Sequence, residues 1–201
     1  MNSLRWPTSA LPFDSVTVEL MCHPATPCSA ALKVSASLAP RRTTSGWELQ
    51  LVYQVTGDIQ RLRLPALTEP SPADGLWAHT CFEAFFSEPG SQVAYRECNF
   101  SPSTQWAHYR FTDERVRDGD AAALALPVVQ APEVTANRLR LTASIPIRPL
   151  HPSASALRCA LTAVLELADG SLSYWAVHHS APQPDFHARN GWVVPQRWTV
   201  L

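Results

Sequence analysis

The chain has 201 residues, of which 46% are hydrophobic and 16% charged, with a formal net charge of −1. Charge content well under the usual ~25% excludes a disordered chain, and the lack of a basic excess speaks against nucleic acid as a partner. A sequence of this length fits a single domain over 1–201, large enough to bury roughly 70% of its unfolded surface without disulfides.

The first thirteen residues, MNSLRWPTSALPF, lack the apolar run of about 7–15 residues that marks a signal peptide, and no stretch reaches the ~20 apolar residues of a membrane span. A soluble, cytoplasmic protein without a membrane partner is expected. Val16, Val18 and Leu20 then alternate with polar residues, as do Leu32, Val34, Ala36 and Leu38, and as do Trp47, Leu49, Leu51, Tyr53 and Val55. Each reads as a strand with one buried face. Residues 65–76 form a first notable loop.

Runs 79–87, 94–101 and 104–111 carry large or apolar groups on both faces and read as central strands covered on both sides. Leu139, Leu141, Ala143, Ile145 and Ile147 alternate again, and 158–168 and 172–178 are further two-sided strands. Turn signals lie at Thr56-Gly57-Asp58, Glu88-Pro89-Gly90, Ser101-Pro102-Ser103, Asp118-Gly119-Asp120 and Asp169-Gly170, the last reading as a tight hairpin. Eighteen dispersed prolines leave no room for a long helix. About ten to twelve short strands with a second loop at 181–191 give an all-β sandwich or jelly roll. Cys22, Cys28, Cys81, Cys98 and Cys159 are odd in number and form no CxxC pair, so free thiols, no metal and no cofactor are expected.

The stretches DGLWAHTCFEAFFS and YRECNFSPSTQWAHYRF, within Asp74–Phe111, resemble bacterial DOMON-like proteins of the carbohydrate-binding module family 9 type. LMCHPATPC, LVYQVTGDIQRLRLP, SYWAVHHSAPQPDFH and the terminal strand follow in the expected order, so the resemblance covers nearly the whole chain. Cys98 in place of an aromatic, Thr104 in place of glycine, and His178-His179-Ser180 depart from the pattern. The resemblance implies a jelly-roll-like β-sandwich of two antiparallel sheets that binds a small ligand on a sheet face and catalyses nothing. It also implies that Glu83 contacts a sugar and that Trp77 is one of two tryptophans clamping it, with Trp175 the candidate for the second.

Period-two geometry makes its own statement about that face. With Phe82, Ala84, Phe86, Cys98 and Phe100 in the core, the opposite face carries Glu83, Glu97 and Asn99, joined by Trp106 and Arg110 if Ala107, Tyr109 and Phe111 face the core. Aromatic plates mixed with carboxylate, amide and guanidinium groups suit a saccharide. Trp77, His79, Glu83, Glu97, Asn99, Trp106, Arg110 and Trp175 are therefore the candidate ligand-binding residues, with Trp77, Glu83, Asn99, Trp106 and Arg110 expected around one concave pocket. A buried Glu83–Glu97–Arg110 ion network, a haem site through His79 and His187, a sugar-active enzyme using Glu83 and Glu97, and a protein-interaction module remain alternatives. His79, His178, His179 and His187 lie near the two loops without metal-ligand spacing, and Asp185 and His187 are expected to fix the PDFH loop through its backbone. The ligand's identity and the oligomeric state are not encoded legibly.

Overall fold

The structure, a computed structural model, describes residues 15–87, 91–119, 126–147 and 158–192. The expected turn at Glu88-Pro89-Gly90, Asp120 and the terminal strand lie outside them.

Among the described residues twelve strands run β1 (Val16–Cys22), β2 (Leu32–Thr43), β3 (Gly46–Gly57), β4 (Cys81–Ser87), β5 (Tyr95–Phe100), β6 (Trp106–Asp113), β7 (Val116–Arg117), β8 (Val128–Val129), β9 (Glu133–Val134), β10 (Arg138–Ile147), β11 (Cys159–Glu166) and β12 (Leu172–Ala176). The helical content of the described residues is three single 3-10 turns. The strands pair antiparallel in the order β7-β6-β5-β4-β11-β12-β1-β2-β3-β10-β8, with β9 also on β10. β1 belongs to both halves of this path. Its first residues, Val16 to Leu20, pair with β2, and its last two, Met21 and Cys22, pair with β12. One strand thus joins a first sheet, β7 to β12, to a second, β2 to β10.

The two sheets face each other across one apolar core. β2, β3 and β10 supply Leu38, Leu51, Tyr53, Leu139 and Leu141, and the first sheet supplies Phe82, Ala84, Phe100, Leu161 and Leu165. The alternation in β1, β2, β3 and β10 is what puts one set of side chains inward on each strand. Each fully buried Leu or Phe contributes about 1.5–3 kcal/mol relative to exposure. Tyr53 stacks on Phe82 with centroids 4.9 Å apart, and its hydroxyl donates to the Glu83 carbonyl at 2.6 Å. That bond satisfies a phenol whose O–H would otherwise be stranded in the core.

β4 and β11 are buried at every position, as their two-sided apolar sequences require. The cover on the outer face of the first sheet is a second cluster: Phe85, Tyr95, Phe111, Ala160 and Trp192, with Tyr109 and Phe186 against it. The loop after β12 brings Phe186 and Trp192 to that face. Asp169-Gly170 forms the expected tight hairpin between β11 and β12, with Gly170 at φ 83° and Leu167 N–H donating to Ser171 O at 2.9 Å.

Candidate functional site

With Phe82, Ala84 and Phe86 in the core, Glu83 must lie on the outer face of β4, and the register carries this across three strands. Thr162 of β11 lies opposite Glu83, and Asn99 of β5 lies opposite Glu83 on its other side. Thr162, Glu83 and Asn99 therefore form one row. Glu97 stands diagonally from Glu83, in the next row with Phe85 and Tyr109, at the about 7–8 Å usual for such diagonal neighbours.

All three row residues are buried, with Glu83 3% exposed and Asn99 0%. Thr162 Oγ1, Glu83 Oε1 and Asn99 Oδ1 have no hydrogen-bond partner among the described residues. Asn99 Nδ2 donates to Glu97 Oε1 at 2.8 Å. His187 Nε2 lies 3.7 Å from Glu97 Oε2, and its Nδ1 is 2.6 Å from the Tyr95 hydroxyl. That hydroxyl already accepts the Arg115 N–H at 3.1 Å, so it donates to His187 Nδ1 and leaves the ring proton on Nε2, facing Glu97.

Burial pushes the Glu83 carboxyl well above the usual carboxylate range, and the charge of Glu97 adds to the effect. Glu97 is raised by burial too, against the opposing pull of the Asn99 amide, Arg117 and Arg115. His187 is pushed down to about 4 by burial and by Arg115, so its ring is neutral at pH 7.

Trp77 lies in the 3-10 turn Leu76–Ala78, which packs against β4 and β5, and it is 54% exposed. The preceding loop is anchored to the β5–β6 turn. Thr68 N–H and Oγ1 both donate to Ser103 O, and Thr104 Oγ1 donates to Thr68 O at 2.7 Å. Thr104 sits at φ 80°, a left-handed position where glycine would be unstrained.

Two expected site residues belong to the other face. Phe100 pairs with Trp106, and Arg96 with Arg110, so Trp106 and Arg110 share the inner side of the sheet with Phe100. Trp106 packs against the main core, and Arg110 Nη1 donates to Asp118 Oδ2 at 2.5 Å. Ala107, Tyr109 and Phe111 face outward instead. The expectation failed because the outer face has an apolar cluster of its own, so hydrophobicity did not decide which side of β6 is the core side. The expected five-residue pocket and the Glu83–Glu97–Arg110 network fail for the same reason.

Trp175 is likewise inward. It lies opposite Ala163, which lies opposite Phe82, and its Nε1 donates to Ser173 Oγ at 2.9 Å. It lines a cavity of about 600 Å³ at the end of the sandwich, with Cys22, His23, Cys28, Lys33 and Thr56 among the other walls. It does not join Trp77 and Glu83. His79 is engaged elsewhere, at the far end of the β11 edge of this face. Its Nδ1 contacts Glu166 Oε2 at 2.8 Å, and Arg63 Nη1 donates to Glu166 Oε1 at 3.1 Å. His179 Nε2 meets Met21 O at 2.8 Å, so the histidines do not converge on one point. Asp185 Oδ1 accepts the His187 N–H at 3.0 Å, as expected of a loop-fixing carboxylate, whereas the His187 ring turns to Tyr95.

Thr162 was missed. Its signal was faint: within Cys159–Glu166 it is the one hydroxyl in an apolar run, at the spacing of Ala160, Val164 and Glu166.

No family model matches the chain, and no curated protein sequence matches it. Among solved structures it is similar to a candidate carbohydrate-binding protein from Bacteroides uniformis, with TM-score 0.55 and 14% identity, over 89% of this chain and 84% of that one. It is also similar to a family 9 carbohydrate-binding module from Caldicellulosiruptor kristjanssonii solved with glucose, with TM-score 0.48 and 9% identity, over 79% of this chain and 73% of that one. The first likeness agrees with the sandwich architecture.

Proposed function

We propose that the chain is one non-catalytic domain that binds a saccharide on the outer face of its first sheet, at the Thr162–Glu83–Asn99 row. The observation that carries this reading is the row of three buried polar atoms without partners. Buried polar atoms are nearly always bonded, because leaving one unsatisfied costs about 1–3 kcal/mol. Three such atoms on adjacent strands suit a ligand rich in hydroxyls. Trp77, exposed on a turn that packs against β4 and β5, supplies an aromatic plate for the C–H face of a sugar ring. The fold of the Bacteroides uniformis neighbour and the motif resemblance in Asp74–Phe111 support the same assignment. A reducing, cytoplasmic setting fits the buried thiols of Cys81, Cys98 and Cys159.

Calorimetric titration of the full chain with a panel of mono- and disaccharides tests the proposal. Trp77→Ala is expected to weaken the best binder by ~1–3 kcal/mol through lost stacking area, and Glu83→Gln by ~1–3 kcal/mol through a ligand hydrogen bond that the amide does not reproduce. Both variants should keep the fold. Unchanged affinity in both would place any saccharide elsewhere on the molecule.

A further inference from the structure

The unpartnered row has a definite polarity. Asn99 must turn its Nδ2 toward Glu97, because that amide N–H is the donor received by Glu97 Oε1 at 2.8 Å. Its Oδ1, an acceptor, is therefore what faces the unpartnered side. Glu83 adds a carboxyl oxygen, and Thr162 adds a hydroxyl that serves either way. Once the Glu83 carboxyl gives up its proton, the row asks for donors.

The charges agree. Glu83 and Glu97 are two buried acidic side chains on adjacent strands. The basic groups closest at hand are committed or neutral. Arg115 Nη2 donates to Asp185 Oδ1 at 2.7 Å, and Arg117 lies over the Tyr109 ring with its Nη1 3.6 Å from Asp74 Oδ1. His187, beside Glu97, is neutral at pH 7. Glu166 makes the contrast. It is on the same outer face and equally buried, yet it receives both Arg63 and His79. The fold supplies the Arg63 guanidinium to one buried acid of this face and brings none of the described cations to Glu83.

We propose that the ligand of this face carries a protonated amine, as an amino sugar does, and that its ammonium seats between Glu83 and Asn99. An ammonium has N–H donors for the Glu83 carboxyl and for Asn99 Oδ1 on the neighbouring strand, and its charge lets the buried acid ionise, while Thr162 on the other side of Glu83 is left to a hydroxyl of the same ligand. The inference rests on the saccharide reading above and narrows it to a class.

The test uses tryptophan fluorescence of the full chain at pH 6.5, titrated with D-glucosamine, D-glucose and N-acetyl-D-glucosamine. Glucosamine is expected to bind at least tenfold more tightly than the other two, since acetylation removes the charge while keeping the ring. Glu83→Gln should reduce that preference to under about threefold, and Thr162→Val should weaken glucosamine and glucose alike. Melting curves establish that both variants are folded, and the comparison on the unaltered chain needs neither. If glucose or the acetylated sugar binds as tightly as glucosamine, the amine is overturned while the saccharide reading stands. If none of the three binds, both are overturned. A tenfold preference that survives Glu83→Gln overturns the seat at Glu83.

Discussion

Glu83 sits where a folded protein rarely leaves a carboxyl, buried on a sheet face with an oxygen unbonded. Its raised pKa is a statement about stability. Between the unfolded value near ~4.3 and the higher folded value, the native state holds the proton that the unfolded chain has released. Stability contributed by this group is thus present below the unfolded pKa and lost as pH rises through the folded one. Glu83→Gln removes the dependence. The variant is expected to melt several degrees above the parent at pH 8, where about 1 kcal/mol corresponds to about 2–4 °C in a domain of this size, with the gap closing by pH 4. Thermal melts across that range check it, and a lower melting point for the variant at pH 8 would count against the account. An ion pair with Arg110 would have forced that lower value, but Arg110 engages Asp118 on the opposite face. At this scale the sequence was informative wherever parity within one strand sufficed: Glu83 opposes Phe82, and Asn99 opposes Phe100. It was silent on Thr162, because the neighbour of Glu83 across β11 is set by a long-range strand pairing that no local pattern encodes.

Elements show where local pattern gives way to tertiary context. β1, β2, β3 and β10 each cover the core with one face, and alternation alone oriented them. β6 has apolar groups on both faces and two apolar clusters to choose between. Its side was decided by the β5–β6 turn, in which Ser101 N–H donates to Gln105 O at 2.9 Å and Trp106 comes to lie opposite Phe100. The end of β3 depends on a different local demand. Gly57 lies at φ 118°, and a Cβ there would stand 1.9 Å from the Ala31 carbonyl oxygen. That oxygen is held in place by the Asp58 N–H at 3.2 Å. Gly57→Ala is therefore expected to cost more than ~2 kcal/mol, from backbone strain and collision together. Gly75→Ala, at φ 73° with open space around it, should cost about 1 kcal/mol. Chemical denaturation of both variants separates the two cases, and equal losses would mean that the contact with Ala31 is not the controlling one.

At the scale of the molecule, the described residues form two apolar clusters on either side of one sheet, and this governs what solvent can reach. Cys81, Cys98 and Cys159 are buried within the first sheet, and burial pushes all three thiols up. Cys22 and Cys28 are half-buried at the Trp175 cavity. In a thiol titration of the reduced protein, two groups should react while it is folded and the remaining three after unfolding. Five fast thiols in the native state would mean that the sheet opens readily. The same two-sided sheet is what makes the outer row a candidate site, since the second cluster buries polar groups that a bare sheet face would leave to water. The central claim is that a saccharide meets the chain at that row. Its most direct test is nuclear magnetic resonance of isotope-labelled protein titrated with the saccharide that binds best. The largest shifts are expected on Thr162, Glu83, Asn99 and the Trp77 indole. Shifts confined to Trp175, Cys22 and Cys28 around the end cavity, or no shifts with any sugar, would contradict it.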